Sequence, residues 1–153
     1  MLTKPEHGWT EFSLEGAPTY TLSYLDDIAL EWTAQAIHGL ETMLPFCVKG
    51  FMEPRRMLCT VSYWNCHITV EDEERSPLKL EYVSRAYSHT SMLEFCKNLH
   101  EDLSSAIDEW ADFMDYSPTD FAEKKRTLEA SLQTLKALIT EKAEFFDANH
   151  CFL

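Results

Sequence analysis

The chain has 153 residues, 45% of them apolar and 12% aromatic, enough to bury a hydrophobic core of its own. Four Gly and six Pro exclude collagen-like and Gly/Pro-rich sequences, and no apolar run approaches the ~20 residues of a membrane-spanning helix. Lys plus Arg total 13 against 26 Asp plus Glu, a formal net charge of −13, which leaves little charge for the basic face that a non-specific nucleic-acid binder needs.

In chain order, Thr10, Phe12 and Leu14 alternate with polar residues, as do Tyr20, Leu22 and Tyr24, with Gly16-Ala-Pro18 between them. This period of two with a turn predicts a hairpin. Asp26-Asp27 then offers a cap for a helix whose face is Ile28, Trp32, Ala36, Leu40 and Met43. Gly39 weakens that helix and Pro45 ends it. Phe46–Met52, Met57–Trp64, Cys66–Val70 and Leu80–Tyr87 read as strands, with Asn65 at a turn or bulge and Glu71–Pro77 as a loop.

Ser91 and Glu94 form a capping box. Behind it Met92, Cys96, Leu99, Leu103, Ala106, Ile107, Trp110 and Met114 make one apolar stripe, predicting a continuous helix. Ser117, Pro118 and Asp120 mark the start of a last helix, striped by Phe121, Leu128, Leu132, Leu135, Leu138, Ile139, Phe145 and Phe146. The predicted class is α+β: a mainly antiparallel sheet of four to six strands, one N-terminal helix and two long antiparallel C-terminal helices. A single domain over 1–153 is expected, with ββα and the strand block in 1–89 and a helical hairpin in 90–153.

The sequence carries no Gly-rich phosphate loop, no GxSxG and no HExxH. No catalytic residue, cofactor or metal is expected. Five Cys are an odd count in a chain without a visible export signal, so reduced thiols and a cytoplasmic location are the expectation. Cys59, Cys66 and His67 are the one set worth testing for a metal, although neighbours 66 and 67 point to opposite faces of a strand. Of the four Trp, Trp64 at a strand end is the one expected outside the core.

Charge is more informative. Between Asn98 and Phe121 lie Glu101, Asp102, Asp108, Glu109, Asp112, Asp115 and Asp120, and no Lys or Arg. On one continuous helix, Glu94, Glu101, Asp108, Asp112 and Asp115 fall opposite the apolar stripe. Like charges at i, i+4 cost a helix roughly 0.2–0.5 kcal/mol per pair, so such a face suits a basic protein partner, although a plain solvated face stays open. Glu71, Asp72, Glu73 and Glu74 form a second acidic cluster.

The order Phe12-Ser-Leu-Glu-Gly16, Ser23-Tyr-Leu-Asp-Asp27, amphipathic helix, strand block and Leu93-Glu-Phe-Cys96 with a helix through Trp110 resembles small immunity proteins of bacterial polymorphic-toxin and contact-dependent growth inhibition systems. The likeness spans residues 9–115. It implies a non-catalytic cytoplasmic α+β protein that binds and neutralises a cognate toxin, often a basic nuclease, with no nucleic acid or membrane as partner. It carries over no binding residue, and the oligomeric state stays open. An adaptor using an exposed helix face, or a small enzyme without a recognisable motif, remains the alternative.

Overall fold

A computed structural model describes residues 1–72, 81, 83–113 and 120–149. Among these the chain forms six strands in two antiparallel sheets and four helices. Strands β1 (Trp9–Phe12) and β2 (Tyr20–Ser23) form the predicted hairpin, with Thr10 opposite Leu22 and Phe12 opposite Tyr20. Helix α1 (Ile28–Thr42) starts where Asp27 Oδ1 accepts the Leu30 N–H at 3.2 Å, and it buries Ile28, Trp32, Ala36 and Leu40. Gly39 has a packing role that its helix propensity hides. A Cβ there would run into the Phe46 ring, so only Gly lets β3 pass this close to α1.

The second sheet is not joined to the hairpin. It has the order β3 (Phe46–Phe51), β4 (Arg55–Val61), β5 (Cys66–Asp72), β6 (Val83–Ser88). The Ser62 N–H donates to Asn65 O at 2.8 Å, so Asn65 lies in a turn between two strands. Register places Val48, Cys59, Ile68 and Ala86 in one row of the inner face, and Lys49, Leu58, Thr69 and Arg85 in one row of the outer face. At the β3 edge, Lys49 O accepts the Trp32 indole N–H at 2.8 Å, and the Asp26 carboxylate lies near the Phe51 N–H. These contacts occupy part of an edge that could otherwise pair with another strand. The predicted loop and strand residues 73–80 and 82 lie outside the described residues.

Helix α2 (Met92–Ser105) opens on the full capping box. Ser91 Oγ accepts the Glu94 N–H at 3.2 Å, and Glu94 Oε2 accepts the Ser91 N–H at 2.9 Å. The predicted continuous helix does not exist. Ala106 leaves the helical region (φ −138°, ψ 45°), and α3 (Ile107–Ala111) is a separate short helix. Ser105 Oγ donates to Asp102 O at 3.0 Å just before the break, a side chain competing with the backbone ladder. The new direction sends Trp110 fully into the core, while Ile107 is only half-buried.

Helix α4 (Phe121–Asn149) packs on α1, α2 and α3. Lys125 meets Asp108, Glu129 and Lys136 line one cavity with Ile107 and His100, and Phe145 and Phe146 meet Trp64. Tyr63, beside Trp64, accepts the Met92 N–H at the start of α2, so α4 runs antiparallel to α2 and α3. Its buried stripe is Leu128, Leu132, Leu135, Ile139 and Phe146; Phe121 and Phe145 from the predicted stripe are exposed. Phe145 and Phe146 instead shield Trp64, and Trp9 is only half-buried. The Ser117–Pro118 start falls outside the described residues.

Phe95 of α2 sits at the centre of the core. Its ring meets Phe12 of β1 at 6.5 Å, Trp32 of α1 at 6.1 Å and Phe46 of β3 at 5.8 Å. Among the described residues no helix is long and apolar enough to cross a membrane.

Candidate functional site

The sequence points to carboxylates, and the fold sorts them by whether a cation already holds them. Asp108 is exposed, but the Lys125 ammonium of α4 lies 2.8 Å from its Oδ1. Lys4 meets Glu109 at 2.9 Å, raising the Lys4 pKa and lowering that of Glu109. Asp102 accepts the Leu2 N–H at 2.8 Å. Glu71 on β5 is gripped by Arg56 of β4 at 2.7 Å, its opposite number in the register. Asp72 is half-buried at the end of β5, facing Arg55 in the register. Asp112 is exposed at the end of α3. Asp115, Glu73 and Glu74 lie outside the described residues.

The five-carboxylate helix face is therefore not one face. The break at Ala106 separates Glu94 and Glu101 from Asp108 and Asp112, and a Lys distant in sequence neutralises Asp108.

Glu94 and Glu101 share the exposed side of α2, seven residues apart. Both line a cleft of about 740 Å³ between α2 and the turn after β1. Glu15 completes its acidic rim from that turn, while Lys97, Asn98, His89 and Thr90 add polar groups. Glu15, Glu94 and Glu101 have no ion-pair partner among the described residues. Glu94 accepts one backbone N–H in the capping box, which fixes its carboxylate at the cleft rim. Glu15 was beyond sequence reasoning, because nothing in a turn residue shows which helix its turn lies against.

Cys59 and Cys66 are diagonal neighbours on the inner face of the sheet, and His67 is on the outer face. The three do not converge. No group of three or more His, Cys, Asp or Glu among the described residues is placed to hold a metal ion. A hydrogen bond with Cys66, then burial, push the Cys59 thiol up, and burial holds Cys96 at about 12. These are unreactive core thiols. A second cavity, about 520 Å³, lies between α2, α3 and α4 beside His100. Burial and then Lys136 lower the His100 pKa.

No family model, curated protein or solved structure matches the chain.

Proposed function

We propose that this chain is a non-catalytic immunity-type inhibitor that binds a basic toxin domain, of nuclease type, through the acidic rim of the α2 cleft. The observation that carries this reading is the convergence of Glu15, Glu94 and Glu101 on one cleft, three acids with no ion pair among the described residues against the single Lys97 side chain that lines it with them. A nuclease gathers Lys and Arg to hold phosphates. Carboxylates on a rigid helix offer those cations the same charge at fixed spacing, with Arg forks met in pairs. Asp112 extends the surface beyond the cleft, and the internally paired Asp108, Glu109 and Glu71 contribute less.

The test uses a basic nuclease domain as the candidate toxin, with binding measured from low to high salt. Glu15→Lys with Glu101→Lys, and Glu94→Gln to keep the cap, should weaken binding by at least tenfold and flatten its salt dependence. Reversal of Asp108, already spent on Lys125, should do less. Unchanged affinity in the Glu15/Glu101 variant, with no salt dependence in the parent protein, would discard the proposal.

A further inference from the structure

The outer face of the four-stranded sheet carries the opposite character to the cleft. Lys49, Arg56 and Arg85 lie there, and Glu71 is the one acid that the described strands themselves place on this face, in a chain of net charge −13. Arg56 is held by Glu71, and Lys49 faces Asp26 and Glu31. Arg85 is exposed and has no ion pair among the described residues. Beside it Tyr87 is 43% exposed, its ring 5.1 Å from His67 and 4.9 Å from His89. Between these side chains lies a shallow slot of about 310 Å³, lined from the outer face by His67, Thr69, Arg85 and Tyr87.

We infer that this face docks a short acidic protein segment, one apolar or aromatic side chain entering the slot between Thr69 and Tyr87 while a neighbouring carboxylate pairs with Arg85. Three observations select that occupant. The uncompensated charge is positive, so it draws a carboxylate. Four strands about 4.8 Å apart and six residues rising about 3.3 Å each make a face of about 400 Å², half of the ~800 Å² per partner that a stable dimer buries. A second copy is therefore too large an occupant for the area. One free Arg is also a poor match for nucleic acid, which carries a phosphate every ~1.7 Å of duplex. The inference does not rest on the toxin-binding reading: it uses Arg85 and Tyr87 rather than the cleft carboxylates, and His89, whose ring meets Tyr87, lies between the two sites.

The experiment is an amide NMR titration at low salt with the acetylated peptide EEYEE, and KKYKK as control. EEYEE should shift Thr69, Arg85, Ala86 and Tyr87, and KKYKK should not. Arg85→Glu should weaken the binding roughly tenfold and Tyr87→Ser at least threefold. Glu101→Lys should leave it unchanged, which separates this face from the cleft. Arg85→Gln serves if the charge reversal unfolds the edge strand. Absence of shifts, or shifts indifferent to both Arg85 variants, overturns the inference. So does tighter binding of a ten-nucleotide oligothymidine on the same residues, or a concentration-dependent dimer that Tyr87→Ser abolishes.

Discussion

Asp26 closes β2 onto α1 with its carboxylate buried. It lies near the Phe51 N–H, and its Oδ2 has no hydrogen-bond partner among the described residues. Burial raises its pKa, and Lys49, the Phe51 N–H and Arg56 offset only part of that. The folded protein then holds this proton more tightly than the unfolded chain. Stability from Asp26 is greatest below the unfolded pKa, near 4, and is lost as pH rises through the raised folded value. Asn has the shape of Asp without a charge to desolvate. Asp26→Asn should therefore raise the melting temperature at pH 7, and the gain should vanish by about pH 4. Thermal unfolding of both proteins across that range checks it; a variant less stable than the parent at pH 7 would show that the charge is needed.

Helix α4 illustrates how one element is fixed to the rest. Lys124 is only 2% exposed, and its Nζ lies 2.9 Å from Asp27 Oδ2 without the alignment of a directed hydrogen bond. The other oxygen of Asp27 caps α1, so one carboxylate serves the start of α1 and the first turn of α4. Removing the carboxylate strands a buried cation and the cap together. Asp27→Ala should cost about 3–5 kcal/mol, while Lys124→Met, which leaves the partly solvated Asp27 capping α1, should cost under about 1 kcal/mol. The double variant should recover most of the Asp27→Ala loss. Denaturant unfolding of the cycle measures this, and additive losses would mean that the pair is not coupled.

At the scale of the molecule, Trp110 is the keystone of the helical side. It is fully buried beside Phe113 even though the helix carrying it is five residues long. Trp110→Ala should cost roughly 3–5 kcal/mol, read as a lower denaturation midpoint with an unchanged slope. A loss below about 1 kcal/mol would show that α3 does not hold α4 in place.

The hairpin, α1, the sheet strands and the α2 cap were legible because each rests on a local rule: alternation, i, i+4 spacing, or a side-chain cap two or three residues from its target. The same rules failed at Ala106, where apolar spacing continued through a break that the Ser105 hydroxyl accompanies. They also hid Phe95, one apolar residue among several in α2, whose rank at the core centre depends on β1, α1 and β3 meeting there. The acidic surplus and the α+β order were fixed by composition and periodicity, which need no neighbour from far along the chain. Which carboxylates stay unpaired was decided only by tertiary structure. Lys125 reaches Asp108, Lys4 reaches Glu109 and Arg56 reaches Glu71, leaving Glu15, Glu94 and Glu101 around one cleft. Charge is a property of each residue, but its availability depends on what folding brings within a few ångströms.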